Sequence, residues 1–315
     1  MTLRRIVDAL AGSGHWRLVS HFNPDGDTLG CCSALFSVGL ALGKTVEWCG
    51  QSAVPARYAF LPHASEYHQA NRLPDDGALN VFIDVSCADR GLPGRVDVNV
   101  DHHPDNGNFA GLNWVDPTAS AAAELVWQIV KELIHPVPQE AAQALLTALV
   151  TDTGNFRFSS VTARTLSVGS ELIASGAQPG WVDLQLNGQD RLEKLHLWGR
   201  CMSRAETLGN HCVLSWLDAR DFAETGASED ETDELVNQLT RLKNADLVVL
   251  AYEQRDTVRC SVRSRGDWSA REFAGRWGGG GHHNAAGCRL PLPFDGALQK
   301  LKEALDDAER SAGRP

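Results

Sequence analysis

The sequence predicts an α/β protein: a parallel sheet with helices on both faces forms the N-terminal domain, and a smaller α/β domain follows. Short apolar runs bounded by turn residues alternate with helical patterns through the first half of the chain, which is typical of a parallel sheet. A length of 315 residues suits two domains. The pattern changes after residue 208, where the strands and helices of the second domain are predicted.

The strands predicted in the first half are short and apolar, as strands buried on both faces are. Helices are predicted where helical apolar spacing has suitable ends, such as Asp27 as an N-cap, Gly43 as a stop and Pro138 in a first turn. The predicted strands are 16–20, 45–49, 80–84 and 96–100, and the predicted helices are 28–43, 119–134 and 138 to about 150.

From residue 162 to about 208 the pattern is helical, with breaks near Gly176 and Gly188. In the second half the predicted strands are 211–217, 246–253 and 257–263, the predicted helices are 229–243, 270–277 and 295–310, and a glycine-rich loop lies at 278–281. We expect a first domain over 1–187, a helical connector over 188–208 and a second domain over 209–315.

The chain is acidic, with 29 Lys and Arg against 40 Asp and Glu and a net charge of −11. This charge excludes a protein that coats nucleic acid through a generally basic surface, because such binding depends on counterion release by many Lys and Arg side chains. Phosphate binding would need a local positive charge, which carboxylates loaded with divalent metal can supply.

Cysteine spacing and hydropathy indicate the compartment. The eight cysteines show no Cys-x-x-Cys spacing, which argues against a zinc ribbon and fits a reducing environment. The longest mostly apolar stretch, 29–42, is too short to cross a bilayer, and the first residues lack the apolar run of a signal peptide. We therefore expect a cytoplasmic protein with no membrane partner.

Four groups of acidic and histidine residues lie where predicted elements end. They are His21, Asp25 and Asp27 after a strand, Asp84 at the end of a strand, Asp101-His102-His103 after a strand, and Asp152 at the end of a helix. Each group alone also has a structural explanation, such as a helix cap at Asp27, an ion pair at Asp84 or a turn at His103-Pro104. Together they predict a pair of divalent metals, because four aspartates and two histidines are too many ligands for one ion.

Mixed carboxylate and imidazole ligands favour Mn²⁺, with Mg²⁺ or Co²⁺ as substitutes. The second half adds features suited to phosphate. The run Gly278–Gly281 lets backbone N–H groups approach an anion, and Arg263 offers a planar fork to a phosphate. The glycine run is not a dinucleotide-binding loop, because it follows a helical pattern, and it is not a P-loop, because Gly-Lys-Ser/Thr is absent.

These motifs, in this order, resemble those of the DHH phosphoesterase superfamily. The segments Ser261-Val-Arg-Ser-Arg265 and Gly278-Gly-Gly-Gly-His-His-Asn-Ala-Ala-Gly287 resemble the signature of the DHH-associated C-terminal domain. The length is similar to that of the compact branch that degrades nanoRNA and dephosphorylates 3′-phosphoadenosine 5′-phosphate. The resemblance therefore implies an active site in the cleft between a catalytic domain and a substrate-binding domain.

The resemblance also implies a role for each motif residue. His21 and Asp25 would hold one metal, Asp27, His102 and Asp152 would hold the other, and Asp84 would bridge both. Asp101 would orient the histidine ligand, and His103 would face the substrate. The implied substrate contacts are Arg263, Ser264, Gly279, Gly280, Gly281, His282, His283 and Asn284. Of the two adjacent histidines we favour His282, and the choice between them stays open.

The implied activity is metal-dependent hydrolysis of phosphoesters in short single-stranded oligonucleotides, in 3′-phosphoadenosine 5′-phosphate, or in both. A homodimer is a further expectation. Two alternatives remain. A cyclic or linear dinucleotide phosphodiesterase would share this site. A non-catalytic nucleotide sensor would be expected to lack a metal ligand, and this sequence lacks none.

Overall fold

The computed structural model describes residues 2–232 and 234–312. The chain divides into two compact units, with the boundary between Gln189 and Asp190.

The first unit is built on a six-stranded, wholly parallel sheet with strand order β3-β2-β1-β4-β5-β6. Its strands are β1 (His15–Val19), β2 (Thr45–Gly50), β3 (Tyr67–Gln69), β4 (Leu79–Ile83), β5 (Val98–Asp101) and β6 (Leu112–Val115). Its helices are α1 (Thr2–Gly12), α2 (Gly26–Ala41), α3 (Ala122–Leu133), α4 (Gln139–Asp152), α5 (Ala163–Ala174) and α6 (Pro179–Asn187). The predicted parallel sheet is confirmed.

The two faces of this sheet are covered differently. One face carries the main core, where side chains of α1 to α6 pack on strand residues such as Trp16 and Ile83. The opposite face carries a smaller core around Phe82 and Leu92, whose members belong to strands and connecting segments. This differs from the expected helices on both faces. The β4–β5 connection contains Gly91, Pro93 and Gly94, which disfavour an α-helix there.

The second unit contains a mixed six-stranded sheet with strand order β11-β12-β10-β9-β8-β7, in which only the β8–β9 pair is parallel. Its helices and strands are α7 (Leu192–Ser203), β7 (Glu206–Leu208), β8 (Cys212–Leu217), α8 (Ala219–Thr225), α9 (Leu235–Leu239), β9 (Leu247–Glu253), β10 (Val258–Ser264), α10 (Ala270–Gly275), β11 (Gly280–Gly281), β12 (Ala285–Leu290) and α11 (Phe294–Ala312). The predicted second α/β region is confirmed.

Two segments of the second unit differ from prediction. The expected helix over 229–243 is a 3₁₀ turn, Glu229–Thr232, followed by the short α9, because Glu234 adopts a left-handed backbone with φ of 66°. Helix α7, from the expected connector, buries Leu197 and Cys201 in a core of the second unit. Within the described residues, no helix has both the length and the apolarity to cross a membrane. All eight cysteines are free.

Candidate metal centre

The segment between β1 and α2 supplies the first three charged side chains. His21 is buried just after β1. Asp25 is the N-cap of α2, and its carboxylate accepts the backbone N–H groups of Asp27 and Thr28 at 3.1 and 3.3 Å. Asp27 is also buried, in the first turn of the same helix, and accepts two further N–H groups from the start of α3, at 2.6 and 3.1 Å. The N-cap of α2 is therefore Asp25 and not, as the sequence predicted, Asp27, and this leaves Asp27 to point into the protein.

Asp84 follows β4 at the carboxyl edge of the sheet. Its backbone lies in the left-handed region, with φ of 61°, and its N–H donates to the Val100 carbonyl at 2.8 Å. Left-handed backbone is unusual for a residue with a side chain, although Asp tolerates it better than most. The turn therefore holds the buried Asp84 carboxylate at the end of the strand.

The Asp101-His102-His103 motif ends β5. The Asp101 carboxylate accepts the His102 backbone N–H and the Nδ1–H of His103, each at 2.8 Å. The ring of His102 instead places Nδ1 3.2 Å from the Ala119 carbonyl. A proton on Nδ1 would leave Nε2 as the free lone pair. Asp101 thus orients the ring of His103, whereas a backbone carbonyl orients the ring of His102.

Asp152 reaches the same place because α2 and α4 pack unusually closely. A Cβ at Gly26 would lie 2.3 Å from Thr151 Oγ1, and a Cβ at Gly30 would lie 2.5 Å from the Ala144 carbonyl oxygen. Glycine at these two positions is what allows the start of α2 to meet the end of α4. Asp152 is the last residue of α4, where its negative charge opposes the helix dipole.

The structure brings all six predicted metal ligands together in one group, the aspartate–histidine cluster (His21, Asp25, Asp27, Asp84, His102 and Asp152). His21 Nε2 lies 3.5 Å from Asp25 and 3.7 Å from Asp84. His102 Nε2 lies 3.4 Å from Asp84, 3.4 Å from Asp152 and 3.9 Å from Asp27. Asp84 therefore lies between two sets of ligands, one with His21 and one with His102.

Burial and mutual repulsion perturb the carboxylates of the cluster. Burial, reinforced by the charge of Asp84, raises the pKa of Asp27 well above its ordinary value, and burial also raises the pKa of Asp84. The pKa of Asp152 rises to about 6, mainly through burial. Burial lowers the pKa of His102, but the surrounding carboxylates outweigh this effect and raise it to about 10. So much negative charge in a small buried volume favours bound cations.

The donor atoms fit divalent metal ions. Asp84 Oδ1 is buried and has no hydrogen bond among the described residues, and the imidazole nitrogens His102 Nε2 and His103 Nδ1 each lie 3.4 Å away. A buried carboxylate oxygen without a donor is costly unless a cation contacts it. The ligand atoms form three groups, of which two contain Asp84 and the third shares His102 with one of these. Within each group the atoms lie within 4.8 Å of one another. Imidazole and carboxylate ligands together suit hard or intermediate divalent ions.

Sequence reasoning missed a buried ion-pair network beside the cluster. Glu124, fully buried in the first turn of α3, accepts hydrogen bonds from Ser120 N at 3.2 Å and Thr165 Oγ1 at 2.7 Å. Arg164 donates to Glu124 at 2.5 Å and to Asp116 at 2.8 Å. This network fixes the segment between β6 and α3. In that segment, the Ala119 carbonyl contacts the ring of His102. The available signal for this network was Glu124 itself, a charged residue flanked by apolar residues within a predicted helix.

A second missed residue is Arg90, which follows Asp84 in the β4–β5 connection. Its NH2 lies 3.1 Å from His21 Nδ1, and its carbonyl accepts the Phe22 N–H at 2.6 Å. His21 Nδ1 also lies 2.9 Å from the Phe22 carbonyl. The arginine therefore places a positive charge beside the buried histidine of the cluster.

The second unit carries the predicted phosphate-binding residues on β10 and in the β11–β12 hairpin. Arg263 is half-buried on β10. Its Nε donates to Asn237 Oδ1 at 2.9 Å, and its NH1 donates to the Val262 carbonyl at 3.1 Å. Burial lowers its pKa. Both hydrogen-bond acceptors are uncharged, and the charge of Glu234 opposes the effect of burial only in part.

The hairpin is tight and exposed. Gly280, His282, His283 and Asn284 are all exposed, and Gly281 has a φ of 143°, which few residues other than glycine adopt. A Cβ at Gly279 would clash with the backbone of β12, so this glycine serves close packing.

Ser264 departs from its predicted role in substrate contact. Its side chain is buried on the inner face of β10, and its hydroxyl donates to the His283 carbonyl at 2.9 Å and accepts the Ala270 N–H at 3.0 Å. The side chain therefore anchors the hairpin. The alternation of side chains along a strand explains why it faces away from Arg263.

Comparison with known families assigns both units. The model of the DHH family, N-terminal domain, matches residues 17–149, and the model of the DHHA1 domain matches residues 210–312. These matches cover β1 to α4 in the first unit and β8 to α11 in the second. They therefore include every member of the aspartate–histidine cluster except Asp152, and all the predicted substrate contacts.

A curated relative from Thermus thermophilus, "bifunctional oligoribonuclease and PAP phosphatase NrnA", is 33% identical and aligns over 99% of this chain and 95% of its own. The fold is similar to that of an exopolyphosphatase-related protein from Bacteroides fragilis, with a TM-score of 0.86 and 21% identity over 99% of this chain and 98% of that one. A structure of exonuclease RecJ bound to manganese gives a TM-score of 0.54 and 16% identity over 100% and 95% of the two chains. The chain therefore belongs to the DHH phosphoesterase family, as a metal-dependent hydrolase that joins a DHH domain to a DHHA1 domain.

Proposed function

We propose that this enzyme hydrolyses short single-stranded oligoribonucleotides from one end and releases the 3′-phosphate of 3′-phosphoadenosine 5′-phosphate. The observation that carries the proposal is the convergence of two ligand sets on Asp84, in a chain whose nearly full-length relative from Thermus thermophilus bears the name of both activities. A cluster with every ligand present favours catalysis over nucleotide sensing.

In this proposal His21 and Asp25 would hold one cation, Asp27, His102 and Asp152 would hold the other, and Asp84 would serve both. Mn²⁺ is the favoured ion because the ligands mix imidazole with carboxylate, and the structural neighbour RecJ is described as bound to manganese. Mg²⁺ and Co²⁺ are substitutes. Bound there, two divalent cations would make water a stronger nucleophile at neutral pH and would neutralise phosphoryl oxygens.

The chain's own residues would handle binding and protons. His103 donates Nδ1–H to Asp101, which leaves Nε2 to hold or deliver a proton at a phosphoryl or leaving oxygen. The hydrogen bond to Asp101 raises the pKa of His103 and so favours the protonated ring. In the DHHA1 domain, Arg263 and the exposed 279–284 hairpin would bind a phosphate that does not react, with His282 favoured over His283.

The cellular setting and assembly follow as further parts of the proposal. Eight free cysteines, seven of them buried, support a cytoplasmic enzyme with no membrane partner. Exposed apolar side chains at Leu166 and Ile173 on α5 and Leu184 on α6 support a homodimer. For the domains we propose catalysis over 1–187 and substrate binding over 209–315, and the expected connector 188–208 belongs with the second domain, because its α7 and β7 pack in that unit.

The test is a substrate panel with protein stripped of metal and reloaded with Mn²⁺, Mg²⁺ or Co²⁺. The panel contains 3′-phosphoadenosine 5′-phosphate, di- and pentanucleotides of RNA and of DNA, and a cyclic dinucleotide. We expect nucleoside 5′-monophosphates from the short RNAs and AMP from the small nucleotide, with Mn²⁺ the most effective ion. Activity on dinucleotides alone, cyclic or linear, would replace the proposal with a dinucleotide phosphodiesterase, and tight binding without turnover would indicate a sensor.

A further inference from the structure

The outward face of β10 and β12 carries three arginines, of which the proposed active site uses only Arg263. Residues of β10 alternate between buried and outward-facing, and the outward positions are Arg259, Ser261 and Arg263. On β12 the outward residue opposite Arg259 is Arg289. We call Arg259, Arg263 and Arg289 the arginine stripe. Both Arg259 and Arg289 are exposed.

Two arginines directly opposite each other on neighbouring strands repel, since the side chains of such a pair lie about 5 Å apart at their Cβ atoms. Across the described residues, neither guanidinium forms an ion pair with a carboxylate, although acidic residues outnumber basic ones by 11 in this chain. Arg259 lies instead 5.8 Å from the ring centroid of Tyr252. An unneutralised pair of this kind is suited to an external anion.

The surroundings keep the stripe open. Between the arginine pair and Arg263, the outward positions are Ser261 and Gly287, which face each other across the strands. Beyond β12 the edge strand β11 contributes only glycines, one of which pairs with Gly287. Small side chains in the middle and none at the edge leave a shallow path with positive charge at both ends.

The spacing along this path points to a chain of phosphates. Arg259 and Arg263 are four residues apart on one strand, which corresponds to about 13 Å and to about two nucleotides of an extended single strand. We propose that Arg259 and Arg289 form an accessory phosphate-binding site for the distal backbone of oligonucleotides longer than about three residues. The inference rests on the proposed function, in which Arg263 binds the first phosphate that does not react. The arginine pair would then determine how the affinity for the substrate depends on oligonucleotide length.

The test compares substrates of different length in one double variant. In Arg259→Gln/Arg289→Gln we expect KM for a single-stranded pentanucleotide to rise about tenfold, with kcat unchanged. KM for a dinucleotide and for 3′-phosphoadenosine 5′-phosphate should change less than twofold, because neither reaches the pair. In the wild type, KM should fall as the substrate grows from three to five nucleotides, and the double variant should lose this trend.

The matched control is Arg220→Gln/Arg310→Gln, which removes the same charge from exposed arginines on α8 and α11 that are paired with Glu224 and Asp307. It should leave all substrates unaffected. Salt provides a second readout. Because each phosphate contact on a single strand contributes about 0.7 to the slope of log affinity against log salt, loss of two contacts should flatten the pentanucleotide slope by about 1.4.

Two outcomes would overturn the inference. One is an equal rise in KM for short and long substrates, which would mean that the pair supports the fold or the common site. The other is no change with the pentanucleotide. Pentanucleotide binding measured in an Asp84→Asn background separates this inference from the proposed function. If the wild type hydrolyses no nucleotide, the proposed function fails, while loss or retention of binding in the arginine variant still decides whether the stripe binds phosphates.

Discussion

The aspartate–histidine cluster of the first unit and the arginine stripe of the second are both proposed to recognise phosphate, and they would do so in opposite ways. At the first, buried carboxylates repel one another around Asp84, and their side chains are held by backbone N–H groups and helix ends. At the second, the guanidinium groups of Arg259 and Arg289 lie on an exposed face and contact few other side chains. The first site would therefore meet phosphate only through bound cations, whereas the second would meet it directly.

The difference predicts how each region fails when altered. Loss of a ligand from the aspartate–histidine cluster removes the charge that activates the reaction, so the effect falls on kcat. Loss of an arginine from the second unit removes a contact that is equal in the ground and transition states, so the effect falls on KM. Three changes follow, from the largest expected effect to the smallest: the first two test this division, and the third tests the charge repulsion within the cluster.

Asp84→Asn should abolish turnover, with a decrease in kcat of at least about 10³-fold, because Asp84 lies between the two ligand sets. Asparagine tolerates the left-handed backbone at this position, so the fold should be retained. The measurements are oligonucleotide hydrolysis, bound Mn²⁺ and the circular dichroism melt. The exposed Asp105, two residues beyond His103, provides the control Asp105→Asn. Full activity with both metals bound would refute the bridging role of Asp84.

Arg263→Ala should raise KM for an oligonucleotide about 10- to 150-fold and leave kcat and metal content unchanged, because a charge-assisted phosphate contact contributes about 1.5–3 kcal/mol. An aryl phosphate, which has no second phosphate, should show little change. Arg241→Ala is the control, since Arg241 is exposed in the same unit and bonded only to Gln238 among the described residues. An equal loss on both substrates would instead assign Arg263 to the fold or to the metal centre.

Asp152→Asn should stabilise the metal-free protein at pH 7.5. The pKa of Asp152 is raised to about 6, so the folded state binds its proton more tightly than the unfolded state does. This group's stability contribution is therefore most favourable at acid pH, below the ordinary aspartate value, and is lost as pH rises through about 6. We expect a gain of about 1–2 kcal/mol, or about 3–6 °C in Tm, in the presence of a chelator.

The melting comparison should be repeated at pH 4.5, where the difference in Tm between the two proteins should shrink, because the native aspartate is protonated there while the unfolded one is still largely ionised. With Mn²⁺ added, the wild type should gain more stability than the variant, because it keeps the full ligand set. A lower Tm of the variant in chelator at pH 7.5 would show that Asp152 stabilises the fold without metal.

The sequence was most informative at the ends of the predicted strands and helices, because the acidic and histidine motifs lie there too. Each motif residue lies where an apolar run ends, and the carboxyl ends of parallel strands meet at one edge, so His21, Asp84 and His102 were predictable as neighbours. The order of the motifs was enough to recognise the family. The alternating pattern of β10 could also have placed Ser264 on the inner face, had the strand's buried side been known.

Other features depended on contacts between residues far apart in the chain. Nothing local shows that Gly26 lies against Thr151, or that Arg164 joins Glu124 to Asp116, because those contacts connect segments more than 35 residues apart. The helix predicted over 229–243 ended early because the backbone of Glu234 is left-handed, which propensity does not reveal.

The sequence by itself determined the strands and helices that carry the charged motifs, the order in which those motifs follow them, and that two divalent cations suit the ligands. Only the tertiary structure decided which ring Asp101 orients, which face of the first sheet the helices cover, and that Arg259 lies opposite Arg289. The physical reason is one of range. Periodicity and end signals act over a few residues, whereas strand register, helix packing and the sharing of a carboxylate are set by segments that meet only in the folded chain.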